Sequence, residues 1–178
     1  MIRIASLALL LLSACATTPA SNPQDEFFAA LSSHCGKTLT GRLASSDAED
    51  EAMLGKPMSA HFNSCTADEV RINFAIAEDR SRNWVISRTP TGLRLKHVHL
   101  HEDGSEDKLS RYGGDSLGQG TATRQQFPAD AFSKELFRRE NRPQSLTNIW
   151  SVEVEDGLFF AYELRRPEGR FFRVEFQT

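Results

Sequence analysis

Apolar and polar residues alternate along most of the chain from residue 37 onward. The clearest stretch runs from 70 to 76, where Val70, Ile72, Phe74 and Ile76 are separated by small or polar residues. Successive side chains of a strand point to opposite faces, so this period of two predicts a strand with one buried face. Similar patterns predict the other strands, at 37–43, 58–63, 84–88, 92–103, 121–127, 148–155, 158–165 and 172–176, with 107–112 as a further candidate.

Two segments have the end signals of helices instead. Asn22-Pro23 is typical of a helix start, and Phe27 and Leu31 would fall on one face of that helix. A second helix is predicted around 129–140, with Asp130 as its N-terminal cap.

Turn residues separate the predicted strands at short intervals. The charged stretch 78–82 and the pair Asp156-Gly157 predict turns, and the glycine-rich stretch 113–120 predicts a mobile loop. Many short strands joined by tight turns are typical of antiparallel barrels. We therefore predict a mainly β fold, either an antiparallel up-and-down barrel or a strongly curled sheet, with a short N-terminal helix and one helix around 129–140.

Composition agrees with a folded protein and narrows its partners. The 178 residues are 39% hydrophobic and 25% charged, and twelve phenylalanines provide material for a core. A net charge of −3 gives no reason to expect binding to nucleic acid. The chain carries no catalytic sequence motif of a known hydrolase or metalloprotease type, so we predict binding rather than catalysis.

The N-terminus predicts export. Arg3 precedes a short apolar run, and Leu12-Ser13-Ala14-Cys15 follows it. These four residues resemble the lipobox of bacterial lipoproteins, and that resemblance implies lipid attachment at Cys15 and cleavage before it. An ordinary signal peptide with an incidental Cys15 is the alternative.

These signals divide the chain into three parts. Residues 1–14 are predicted to be a signal peptide, residues 15–21 a lipidated tether, and residues 22–178 a single β-barrel domain. The lipid at Cys15 would hold the protein in the cell envelope, on the outer membrane facing the periplasm.

Two further cysteines, Cys35 and Cys65, remain after such processing. In an oxidising compartment a disulfide between them is the simplest prediction. A redox or nucleophilic thiol is the alternative, but the chain has no Cys-x-x-Cys pair.

Three of the five histidines, His97, His99 and His101, are spaced two apart. On one strand they would continue the row begun by Leu93 and Leu95. Imidazoles two residues apart can bind one ion together with a third ligand, so the row is a candidate zinc or copper site, either of a metal-binding protein or of a metal-dependent hydrolase. His101 would lie about 13 Å from His97 at Cα, because a strand rises by roughly 3.3 Å per residue, and the pair His97 and His99 is therefore the better candidate.

The same strand supports a second interpretation, which we favour. A barrel rich in Phe, Ile and Leu can enclose a site for a small apolar or amphipathic ligand. The candidate contacts are Trp84, His97, His99, Trp150 and Tyr162. A structural or assembly role without a pocket is a third hypothesis. The arginines at 165, 166, 170 and 173 are predicted to lie on the solvated face of two edge strands.

Several blocks resemble a family of uncharacterised bacterial secreted proteins and lipoproteins. They are Leu93 to Asp107, Tyr112 to Asp115, Gly120 to Thr123, Phe127 to Asp130 and Phe171 to Phe176. The resemblance implies secretion but no activity. The order of elements is also similar to that of calycins, the group that includes lipocalins, although their Gly-x-Trp opening has Thr38 in the Trp position here.

Overall fold

The computed structural model describes residues 22–155 and 158–177, and within them ten antiparallel strands form one sheet. The helices are α1 (Pro23–Ser32) and α2 (Ala131–Arg139), with two 3₁₀ helices at Ala48–Met53 and Pro143–Thr147. The strands are β1 (Thr38–Leu43), β2 (Met58–Cys65), β3 (Glu69–Ile76), β4 (Asp79–Thr89), β5 (Gly92–His99), β6 (Tyr112–Asp115), β7 (Arg124–Pro128), β8 (Ile149–Glu155), β9 (Phe159–Arg165) and β10 (Phe171–Gln177).

The sheet curls into a nearly closed up-and-down barrel. Its strand order is β6-β5-β4-β3-β2-β1-β10-β9-β8-β7, so every strand except β6 and β7 has two paired neighbours. These two edges meet without a regular ladder. The amide of Asp130 donates to the carbonyl of Gly113 at 2.9 Å, and the amide of Leu117 donates to that of Gln126 at 2.7 Å. The prediction of an antiparallel barrel is confirmed.

Helix α1 closes one end of the barrel. The Asn22 side chain accepts a hydrogen bond from the amide of Gln24, as expected of an N-cap, and Phe27 and Leu31 are fully buried. A disulfide between Cys35 and Cys65 joins the residues after α1 to the end of β2, with 6.0 Å between the Cα atoms. The predicted helix start and the predicted disulfide are both confirmed.

Aromatic side chains fill the middle of the barrel. Phe160 contacts Phe62 edge-on, with ring centroids 5.2 Å apart, and packs against Phe176 at 5.4 Å. All three are almost completely buried. These rings form a packed layer across the middle of the barrel.

Three local predictions need correction or stay open. Residues 79–82, predicted as part of a turn, begin β4, and the turn is tighter, with Ala77 in the left-handed region at φ 51°. Tyr112–Asp115 forms β6, although the loop is predicted to begin at 113, and of the candidate strand 107–112 only Tyr112 belongs to a strand. The predicted turn at Asp156-Gly157 lies outside the described residues. Within the described parts of the chain, no helix is long and apolar enough to cross a membrane.

Candidate functional site

The open end of the barrel contains a cavity of about 450 Å³. Trp84 from β4, His97 and His99 from β5, Trp150 from β8 and Tyr162 from β9 all line it. The five side chains predicted to contact a ligand therefore lie around one cavity. Their role in binding stays a prediction.

A stack of three aromatic rings forms part of the lining of the cavity. The Trp84 indole lies between Phe74, with centroids 4.7 Å apart and 15° between planes, and Tyr162, at 4.3 Å and 13°. Both indole faces are thus covered, and Trp84 is only 2% exposed. A ligand could touch the edge of Trp84 but could not stack on its face.

His97 is buried and hydrogen-bonded at both ring nitrogens. Its Nε2 lies 2.6 Å from Tyr162 Oη, and its Nδ1 lies 3.2 Å from the carbonyl oxygen of Tyr112. Burial, and to a lesser extent the charge of His99, lower the pKa of His97 to about 3. The imidazole is therefore neutral at any ordinary pH.

His99 forms a second imidazole–phenol pair next to the first. Tyr112 Oη lies 3.0 Å from His99 Nε2, while the Tyr112 ring stacks on His97 with centroids 4.6 Å apart. Burial, followed by the positive charge of Arg82, lowers the pKa of His99. Burial also raises the pKa of Tyr112 to about 12, so its hydroxyl keeps its proton.

The row predicted along β5 is present but shorter than expected. Leu93, Leu95 and His97 are buried, His99 is half-buried at the cavity, and β5 ends there. His101 lies beyond the strand in a turn, where its Nε2 is 3.7 Å from Asp107 Oδ2. Lining up three imidazoles would require the strand to continue, but the chain turns at 101–105.

The described residues do not support the metal hypothesis. Within 22–155 and 158–177, no three His, Cys, Asp or Glu side chains are grouped so that they could hold a metal ion. Both nitrogens of His97 already have hydrogen-bond partners. Binding of zinc or copper by His97, His99 and His101 stays a sequence-based prediction without structural support.

Polar and charged side chains surround the mouth of the cavity. Three are arginines: Arg82 pairs with Asp79 at 2.5 Å, Arg166 Nε donates to Asn148 Oδ1 at 2.7 Å, and Arg142 is exposed at the rim. The acids in the lining are Glu49 and Asp107. The lining thus contains three arginines and two acids, and the charge of Arg82 is paired with that of Asp79.

Sequence reasoning missed Tyr112 and the rim arginines. Tyr112 falls at the end of the candidate strand 107–112, just before the glycine-rich stretch, and the one signal that singles it out is that the chain has only two tyrosines. Arg142 and Arg166 come from connections between elements, and no periodicity links such residues to a site.

Comparisons with protein-family models, with curated proteins and with solved structures find no match for this chain. Arguments about its function therefore depend on the geometry of the cavity and on the sequence itself.

Proposed function

We propose that this protein binds a small amphipathic ligand in the cavity at the open end of its barrel, while a lipid at Cys15 holds it in the cell envelope. The carrying observation is that five chemically suitable side chains, scattered over four strands, line a single cavity. Its volume of about 450 Å³ is within the range usual for small-molecule sites, roughly 300–1,000 Å³.

The distribution of polarity suggests how such a ligand would lie. The floor consists of aromatic rings, with Phe74, Trp84, Trp150 and Phe172 all buried, and apolar surface of this kind favours the apolar part of a ligand. The rim carries three arginines against two acids. This arrangement favours a ligand whose polar or anionic group remains at the mouth.

Native mass spectrometry of the protein purified from its own envelope tests the binding proposal. We expect a small molecule bound one-to-one to the wild type. Ser145→Phe, which places a ring at the cavity mouth, should lose it, because Ser145 lines the cavity. Ser64→Phe is the matched control, since Ser64 is an exposed residue of β2. A wild type free of ligand, or a Ser145→Phe protein that retains it, would contradict the proposal.

Lipid attachment has a separate test, because Cys15 lies outside the described residues. Closure of the barrel by α1 places Asn22, the first described residue, at the end away from the cavity mouth. A lipid at Cys15 would thus be attached seven residues before this end of the barrel. We expect the N-terminal peptide of the mature protein to carry acyl mass on Cys15, and Cys15→Ser to move the protein to the soluble fraction. An unmodified N-terminal peptide would contradict anchoring.

A further inference from the structure

The hydrogen bonds of His97 fix where its single proton lies. A carbonyl oxygen can only accept, so the contact of Nδ1 with the Tyr112 carbonyl at 3.2 Å requires the proton on Nδ1. A proton on Nε2 instead would set the Nδ1 lone pair against that of the carbonyl oxygen in a buried site. His97 is neutral because its pKa is lowered to about 3, so a second proton is not available for Nε2.

Tyr162 must then donate to His97. Nε2 presents a lone pair 2.6 Å from Tyr162 Oη, and the phenol proton lies in that hydrogen bond. A phenol has one proton and can also accept. Among the described residues, no group donates a hydrogen bond to Tyr162 Oη. This oxygen can therefore act toward a ligand in the cavity only as a hydrogen-bond acceptor.

Tyr162 is also held rigidly. Its ring stacks on Trp84 at 4.3 Å and meets the edge of Phe172 at 6.2 Å, and burial raises the pKa of its hydroxyl well above the ordinary value. A fixed acceptor inside an apolar cavity discriminates strongly, because a ligand group that cannot pair with it leaves it unsatisfied.

We propose that Tyr162 acts as an obligate hydrogen-bond acceptor that selects ligands carrying an O–H or N–H donor on their apolar portion. This inference rests on the proposed function and deepens it. The ligand class is an amphipathic molecule with a polar or anionic group at the rim and a hydroxyl, amine or amide proton directed to Tyr162. His97 is the positioning residue, since its tautomer sets the direction of the Tyr162 hydroxyl.

Isothermal titration of the full-length protein with a matched series of aromatic anions tests this selectivity. The series is 6-hydroxy-2-naphthoate, 6-amino-2-naphthoate, 6-methoxy-2-naphthoate and 2-naphthoate. We expect the wild type to prefer the hydroxy or amino compound over the methoxy and unsubstituted ones by roughly tenfold, as one buried hydrogen bond would give. The hydroxy and amino compounds distinguish an O–H from an N–H donor.

Two variants locate the effect. Tyr162→Phe should bind all four compounds with similar affinity, whereas Tyr112→Phe, which removes the other phenol of the site, should keep the preference. If the wild type binds all four equally, the donor inference is wrong while the binding proposal stands. If none of the four binds saturably, both are overturned.

The tautomer can be measured without any ligand, even if Tyr162→Phe fails to fold. Nitrogen-15 spectra of the wild-type imidazole should show a protonated Nδ1 and an unprotonated Nε2 at His97. A protonated Nε2 would mean that Tyr162 receives rather than donates that hydrogen bond, and would overturn the inference.

Discussion

At the scale of single residues, protonation of His97 would disturb the packing around its buried ring. Its ring is 3% exposed and sits between the Tyr112 ring and the Trp150 ring, with centroids 4.6 and 5.0 Å away. A proton on Nε2 would break the bond from Tyr162 and bury a charge. The native state therefore resists a proton that the unfolded chain accepts freely.

This resistance predicts that acid destabilises the protein. The unfolded histidine binds a proton near pH 6.5 and native His97 only near pH 3, so in that window the unfolded state holds more protons and stability falls as the pH falls. Between pH 7 and pH 5 we expect the free energy of unfolding to drop by about 2 kcal/mol through His97.

Urea unfolding of wild type and His97→Gln at several pH values measures this contribution. The variant should show a shallower dependence on pH, because glutamine does not titrate. His101→Gln, at an exposed position, is the control and should retain the wild-type slope because the buried histidine is still present. Identical slopes for wild type and His97→Gln would show that His97 is not the group responsible.

Glu163 carries a buried carboxylate on the outer face of the barrel. Its side chain is 3% exposed, yet Arg124, Arg165 and Arg173 approach it within 2.7–3.0 Å. Burial would raise the pKa of Glu163, but hydrogen bonds from Arg124 and Arg165 outweigh it and the pKa is lowered. The predicted edge position is wrong for Arg165 and Arg173, because β9 and β10 are paired on both sides. Arg165 is solvated as predicted, with 56% of its side chain exposed, whereas the Arg173 side chain is only 17% exposed.

Removing this carboxylate should cost more than removing one at the margin of the network. Glu163→Gln leaves three guanidinium groups around a neutral amide, and we expect a loss of about 3 kcal/mol in unfolding free energy. Glu175→Gln is the matched change, because Glu175 bonds Arg173 from a more exposed position, and it should cost about 1 kcal/mol or less. Equal losses in urea unfolding would contradict a special role for the buried acid.

Among the elements, β6 decides whether the barrel closes. A Cβ on Gly114 would lie 1.8 Å from the carbonyl oxygen of Pro128, so this glycine lets the two edges touch. The neighbouring Gly113 bonds to helix α2, because its amide donates to Ser133 Oγ at 2.7 Å. Glycines here are a condition for close approach rather than a sign of a mobile loop.

Gly114→Ala should therefore push β6 and β7 apart. We expect it to lower the unfolding free energy by roughly 3 kcal/mol, since backbone atoms cannot move aside as a flexible side chain can. Gly104→Ala is the control: its added Cβ meets nothing within 4 Å, and only its φ of 82° is unfavourable, at about 1 kcal/mol. A Gly114→Ala protein as stable as Gly104→Ala in urea would show that the edges do not depend on this contact.

The strands that could be predicted from the sequence are those in which buried and exposed residues alternate. In β3, Val70, Ile72 and Phe74 are buried as the alternation predicts. β6 was not predicted as a strand, because two of its four residues are glycines and show no alternation. Its strand conformation is defined by pairing with β5. The start of β4 was not predicted, because its residues are charged or polar and lie in a hairpin that extends beyond the core. No apolar side chain alternates there to indicate a strand.

The candidate site was predictable only in part, for a similar reason. His97, Trp84 and Tyr162 lie on the apolar faces of strands in which apolar and polar residues alternate, so alternation places them inside a barrel. The register of the strands across the barrel determines which rings stack on one another. It also determines which groups form hydrogen bonds with the two ring nitrogens of His97. Alternation shows which face of a strand is buried, but it does not show which residues of strands distant in sequence lie opposite one another.

At the scale of the whole molecule, the two ends of the barrel do different work. Helix α1 and the Cys35–Cys65 disulfide hold one end closed, and the cavity occupies the other, with the ring layer of Phe62, Phe160 and Phe176 between them. Close-packed aromatic layers of this kind are rigid. We therefore expect damage at the closed end to reduce stability without reshaping the cavity.

Removing the disulfide puts this separation to the test. The two cysteines are 30 residues apart, and on the chain-entropy account such a cross-link contributes about 3–4 kcal/mol. The double variant Cys35→Ser, Cys65→Ser should lose about that much unfolding free energy in urea.

The cavity of this variant should stay intact. Both tryptophans of the chain line the cavity, so native tryptophan emission is sensitive to its structure and should stay unchanged. Affinity for 6-hydroxy-2-naphthoate should also stay the same. Ser145→Phe, in the lining of the cavity, should instead weaken binding of this compound. If the double variant lost affinity in proportion to its stability, the closed end would be part of the binding site, and the cavity could no longer be treated as a unit supported by the core alone.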